Sequence, residues 1–188
     1  MDNAIIANIK SLAIDMIDEA KSGHPGIVLG AAPILYTLYA KHLEVSIKDS
    51  KWTNRDRFVM SGGHGSALLY ATLFMAGYDI SIDDIKNFRQ VGYKTPGHPE
   101  YEITPGVDIS TGPLGQGFAS AVGMAIASKK LYQEFKSIID YPITPNYNHA
   151  LVDKDNPYRY ELVNWRNELY YDKDGKKMSK SRGNTVDP

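Results

Sequence analysis

The sequence predicts an α/β fold, a doubly wound and mainly parallel sheet flanked by helices, and three observations point to it. Residues 57–61 form a short apolar run with no polar alternation at its centre, as in a strand buried on both faces. A glycine loop and a helical stretch follow that run, and strand, loop and helix in this order make one doubly wound unit. Finally, 188 residues with 43% hydrophobic and 23% charged composition suit one globular domain with an appendage, and exclude two full catalytic domains.

The elements follow in chain order. Ile5, Ile6, Ile9, Leu12, Ala13, Met16, Ile17 and Ala20 recur at helical spacing, predicting an amphipathic helix that Ser22-Gly23 ends. A second helix is predicted over residues 30–43, with Pro33 in its first turn, where a missing N–H does no harm, and with Ile34, Leu35, Leu38 and Tyr39 facing inward. After the strand, residues 67–76 read as a helix. Ser81 and Asp84 form a capping pattern for a further helix reaching Phe88, and residues 92–117, rich in glycine and proline, read as loop. Residues 117–135 carry Ala119, Ser120, Ala121, Gly123 and Ala125, small side chains that let a helix come close to another backbone, so this is expected to be an interface helix.

Beyond Ser137 the character changes. Pro142, Pro145 and Pro157 interrupt the chain, and Asp172-Lys173-Asp174-Gly175 offers a hairpin turn. The expected organisation is a domain over residues 1–140, with its boundary between Ser137 and Ala150, and an appended irregular or hairpin tail over residues 141–188.

Charge and cysteine usage narrow the function classes. A formal net charge of −1 gives no field to draw the molecule onto nucleic acid or anionic lipid. The chain has no cysteine, which excludes disulfides, thiolate zinc sites and thiol nucleophiles and fits a reducing cytoplasm. Asp2, Lys10, Asp15, Asp18 and Glu19 among the first apolar residues argue against a signal peptide or membrane span.

Three histidines stand in glycine-proline loops: His24 in Ser-Gly-His-Pro-Gly, His64 in Ser-Gly-Gly-His-Gly-Ser and His98 in Thr-Pro-Gly-His-Pro-Glu. Any one of them, taken alone, reads as a local turn cap. Three together point to one polar cluster, where flanking glycine admits a ligand to the backbone and imidazole donates or accepts a hydrogen bond to a sugar hydroxyl. Gly112-Pro113-Leu114-Gly115-Gln116-Gly117 stands directly before the small-residue helix, where free amides can meet an anion or a polar ring.

In their order, these segments resemble transketolase, over residues 1 to about 137. The loops around His64 and His98 match that family more closely than they match related ketol-forming synthases. The resemblance implies a thiamine-diphosphate-binding fold, truncated here, and transfer of two-carbon ketol units between phosphorylated sugars, which would make the protein a transferase. It implies that His24, His64 and His98 bind donor-sugar hydroxyls and polarise the sugar carbonyl. The turn Gly112, Pro113, Leu114 and Gly115 would hold the cofactor, with Gly112 and Leu114 at its aminopyrimidine. It also implies a homodimer, or a complement to a transketolase remainder, with the cofactor between subunits.

The resemblance also sets out what to miss. The family binds Mg²⁺ or Ca²⁺ through a Gly-Asp-Gly motif and a later asparagine. Here the corresponding stretch reads Asn148-His149-Ala150-Leu151-Val152-Asp153-Lys154-Asp155, so Asp153 and Asp155 read as a solvated turn and no metal site is carried over. The cofactor-activating glutamate belongs to the family's second domain, so the fragment is expected to be inactive alone.

Lys177-Met178-Ser179-Lys180-Ser181 resembles the KMSKS loop of class I aminoacyl-tRNA synthetases of the leucyl, methionyl and valyl group. There the two lysines, here Lys177 and Lys180, stabilise ATP phosphates. The companion His-x-Gly-His signature is absent, so a solvated basic tail is the competing reading. The alternatives to transketolase chemistry are therefore an ATP-binding synthetase remnant, or a non-catalytic, chimeric fusion that dimerises through its small-residue helix.

Overall fold

The computed structural model describes residues 2–52 and 55–138. The chain divides into two units, Met1–Tyr132 and Gln133–Pro188, and the account below concerns the first. Its helices are α1 (Asp2–Glu19), α2 (Pro25–Lys41), α3 (Ser66–Ala76), α4 (Ile82–Lys86) and the opening turns of α5 (Gln116–Ile138).

Helix α1 buries Ile9, Ala13 and Met16, a stripe at the spacing the sequence displays. It closes at Glu19, three positions before Ser22. Ser22 donates its N–H to the Ile17 carbonyl at 3.2 Å and Lys21 donates to Asp18 at 3.1 Å, with Lys21 at φ +49° in the left-handed position of the stop. Gly23, at φ +153°, has no room for a side chain: a Cβ there would lie 2.6 Å from Ile17 Cγ1.

Helix α2 differs from its prediction. It starts at Pro25 rather than at residue 30, because His24 takes the extended N-cap conformation and Pro25 occupies the first helical position, where its fixed φ helps. Pro33 is therefore an interior residue, which deprives Leu29 of a backbone donor; the exposed Thr37 hydroxyl donates to the Pro33 carbonyl one turn further on. The buried face is Val28, Ala32 and Leu35, while Ile34 points outward at 59% exposure.

Helix α3 is the hub. Every residue from Ser66 to Leu73 is buried, and α1 and α2 both pack on it, as expected of a helix that is apolar all round. Gly77 ends it in the left-handed conformation at φ +93°, with Tyr78 donating its N–H back to Leu73 at 3.1 Å.

No strand forms among the described residues. Residues 56–60 carry no regular secondary structure, although Met60 is buried and Phe58 and Val59 are half-buried. The apolar run reports burial, whereas a strand is completed by a neighbour's hydrogen bonds, which no local pattern supplies. The Met60 carbonyl is instead taken by the Thr111 hydroxyl at 2.8 Å.

The Ser81–Asp84 capping box is present in both directions at the start of α4, which ends at Lys86 rather than reaching Phe88. Phe88 is buried all the same, edge-on to Tyr70. Asp84 goes beyond capping: its carboxylate accepts from the Ser81 amide, the Ser81 hydroxyl and the Lys94 amide, and its carbonyl accepts from the buried Thr95 hydroxyl. Burial works against its charge, but these donors win and hold its carboxyl below the usual range.

Candidate active site

His24 stands at the N-cap of α2, and His64 lies in a 3-10 turn, Gly63–Gly65, that leads into α3. Their rings meet edge to face with centroids 5.0 Å apart. Two glycines make this possible. A Cβ on Gly62 would come within 3.1 Å of the His64 ring, and one on Gly65 would come within 2.9 Å of Ile27 in the first turn of α2.

The His64 turn is seated directly on the Gly112 turn. A Cβ on Gly63 would lie 2.9 Å from the Gly112 nitrogen, the Thr111 carbonyl carbon and the Thr111 hydroxyl, so only glycine permits the approach. The His98 ring reaches the other side of the same turn, with its Cδ2 3.7 Å from the place a Gly112 Cβ would occupy. The His64 turn and the His98 ring thus flank the Gly112 turn, and His24 joins them through the His64 ring.

Helix α3 fixes the His98 loop through its hydroxyls. Ser66 donates to the Gly97 carbonyl at 2.8 Å and Tyr70 donates to the His98 carbonyl at 3.0 Å, leaving the imidazole of His98 exposed. Burial pushes the Tyr70 phenol well above its ordinary value, so it stays a donor across the working pH range. Thr111 completes the tie by donating its amide to Pro99 at 3.0 Å.

The predicted cofactor turn is open. Pro113, Leu114 and Gly115 are exposed, Leu114 at 78%, and Gly115 is left-handed at φ +89°. The turn passes into α5, which is anchored to the end of the 56–60 segment: a Cβ on Gly117 would lie 2.6 Å from Ser61 Cα, and the Phe118 amide donates to the Ser61 hydroxyl at 2.9 Å.

The supporting residues Ser61, Ser66, Tyr70 and Thr111 were not marked by sequence reasoning. Ser61 and Ser66 are the flanks of the His64 motif itself, a signal that was available. Tyr70 and Thr111 carry no motif. A separate cleft of about 490 Å³, lined by Lys51, Arg55, Arg57, Glu102 and Asp108 among others, is not bordered by any of the three histidines. The Arg55–Asp108 ion pair, largely buried, occupies its wall.

Among the described residues no group of three His, Cys, Asp or Glu side chains could hold a metal ion. Asp153 and Asp155 lie outside the described residues, as do Lys177, Lys180 and the hairpin turn at residues 172–175. No described helix is long and apolar enough to cross a membrane.

The three histidine loops and the Gly112 turn are linked by the His24–His64 ring contact, the Gly63 approach and the His98 ring. Comparison with known proteins makes this specific. The family model described as "Transketolase, thiamine diphosphate binding domain" matches residues 1–165, reaching past Ser137, where the resemblance read from motifs stopped. The transketolase of Aquifex aeolicus is 51% identical over 152 residues, 81% of this chain and 22% of the relative. That of Bacillus subtilis is 58% identical over 146 residues, 78% of this chain and 22% of the relative. Among solved structures, transketolase from Leishmania mexicana superposes with a TM-score of 0.66 at 52% identity, covering 68% of this chain and 19% of that one. A Pichia stipitis transketolase in complex with sedoheptulose 7-phosphate gives 0.65 at 51% identity, covering 67% and 18%.

The chain belongs to the transketolase family, in its thiamine diphosphate binding domain. It spans about a fifth of the length of these relatives. None of these matches extends the synthetase resemblance to Lys177 and Lys180, and the family match ends at residue 165.

Proposed function

We propose that this chain is the part of a transketolase that holds thiamine diphosphate against the Gly112 turn and a phosphorylated sugar against the three imidazoles. The reaction served is transfer of a two-carbon ketol unit between phosphorylated sugars. The observation that carries this reading is that the His64 turn packs through Gly63 on the Gly112 turn, with the His98 ring beside Gly112 and the His24 ring edge to face with that of His64.

The described residues fit the organic cofactor. Residues 112–115 offer exposed backbone next to the His98 ring, a cradle that a side chain on Gly112 would begin to fill. Gly112 and Leu114 would meet the aminopyrimidine, flanked by Pro113 and Gly115. When bound, thiamine diphosphate supplies the means of breaking the carbon–carbon bond beside the sugar carbonyl. This chain's share is recognition and polarisation. A neutral imidazole carries one donor and one acceptor, so the paired rings of His24 and His64 can donate to a carbonyl oxygen and accept from an adjacent hydroxyl. The Pichia stipitis relative solved with sedoheptulose 7-phosphate supports a phosphorylated ketose as the ligand class.

The divalent cation that would accompany the diphosphate is not provided for by the described residues, and no step is assigned to it. In the same reading, residues 56–60 become a strand of the doubly wound sheet when a neighbouring strand pairs with them. The small-residue face of α5 packs against a second subunit of a homodimer, and the cytoplasm is the compartment.

Calorimetric titration with thiamine diphosphate and Mg²⁺ tests the proposal, on the chain alone and on the chain mixed with a separately produced remainder of a transketolase. Saturable heat in the mixture that disappears with His64→Ala is the expected result. A mixture that gives no heat, or gives the same heat without this chain, overturns it.

A further inference from the structure

Arg89 lies between two of the histidine loops in sequence and carries two unusual features. Its backbone sits at φ +67°, in the left-handed region that a long side chain seldom adopts, and its amide donates to the Thr95 carbonyl at 2.9 Å to close the turn. Its Nε is buried and is the one such side-chain atom among the described residues that lacks a hydrogen-bond partner. Both features work against stability, and neither serves the core.

The guanidinium does make two other attachments. It donates from Nη1 to the Ser22 hydroxyl at 2.7 Å, two residues before His24. It also lies along Gly97, one residue before His98, with Nε 3.8 Å and Cζ 4.0 Å from the place a Gly97 Cβ would occupy. The Phe88 ring backs it, 5.3 Å from centroid to Cζ.

We propose that Arg89 is a positioning residue for the imidazole cluster: one planar cation, bound to Ser22 and seated against Gly97, sets the spacing between the His24 and His98 loops. The left-handed backbone and the solitary Nε are the costs carried at this position. A lysine could still donate to Ser22 but has no guanidinium to lie beside Gly97, so the two contacts are separable. The importance of the spacing rests on the sugar-binding reading above; the spacing itself does not, and it is read here without any ligand.

The test is NMR of the histidine ring protons in the intact chain, with exposed His42, at the far end of α2, as the internal reference. Arg89→Ala is expected to shift the His24 and His98 signals and leave His42 in place. Ser22→Ala should shift His24 alone. Arg89→Lys should return His24 towards its original position while His98 stays displaced, and it serves as the readable variant where the alanine does not fold. Unmoved His24 and His98 signals in Arg89→Ala or Arg89→Lys, or shifts in His42 as large as theirs, overturn the proposal. Absence of cofactor heat with the unsubstituted chain and its mixture, while the His24 and His98 signals respond as expected in the variants, would instead strike the functional reading and leave this one standing.

Discussion

Helices α3 and α5 are both built from apolar and small residues, yet every residue from Ser66 to Leu73 is buried while Phe118, Val122 and Ile126 are 69%, 44% and 65% exposed. Composition made both of them helices. Their surroundings made only one of them core: α3 receives α1 and α2 on its flanks, whereas α5 is anchored at its first turn through Ser61 and Thr111. The site sits where these two regimes meet. The histidine loops hang on the hydroxyls of α3, and the open Gly112 turn belongs to the entrance of α5.

The contrast can be broken most directly in α3. Leu68→Ala removes a side chain with no exposure and is expected to cost about 2–5 kcal/mol in urea unfolding. A cost below about 1 kcal/mol would mean that α3 is not the hub. At the junction, Gly63→Ala places a Cβ against three atoms of the 111–112 backbone and Thr111, none of which can swing aside freely. About 1–3 kcal/mol of destabilisation is expected, with separation of the His64 and Gly112 signals in NMR.

Asp84 sharpens the comparison by asking what fastens the loop to the core. Its folded pKa is lowered, so its contribution is fully present above the ordinary carboxylate value, about 3.9, and is lost as pH falls through the depressed folded value. Asp84→Asn should therefore lower stability at neutral pH and flatten the acid limb of a melting-temperature profile; an unchanged acid limb would show that other carboxylates govern it. The smallest effect is expected in α5, where Ile126→Ser should alter the unfolding free energy of the isolated chain by no more than about 0.5 kcal/mol. A larger loss would show that this face is covered.

What could be read in the sequence follows the range of the interaction. The stripe of α1, the whole of α3 and the Ser81–Asp84 box depend on residues a few positions apart, and those were legible. The start of α2 was not, because Pro25 and Pro33 are both acceptable first-turn residues and only the packing of Val28, Ala32 and Leu35 decides between them. The strand expected over residues 57–61 does not form among the described residues: the apolar run reports burial, and burial alone does not specify a ladder. In the site, the three loops declared themselves through glycine and proline. The meeting of the His64 and His98 loops with the Gly112 turn depends on contacts between residues dozens of positions apart, such as Gly63 with Thr111 and Tyr70 with His98. Arg89 gave no signal, since nothing local marks an arginine for the left-handed region.

Ser66 and Tyr70 stand one turn apart on the same buried helix, and each takes hold of a carbonyl in the His98 loop. Opening the loop therefore breaks two hydrogen bonds to the buried helix and costs their free energy. Its slowest amides, Thr111 and Arg89 among them, should exchange with deuterium only as fast as α3 itself melts, so that a surface loop shares the lifetime of the molecular interior.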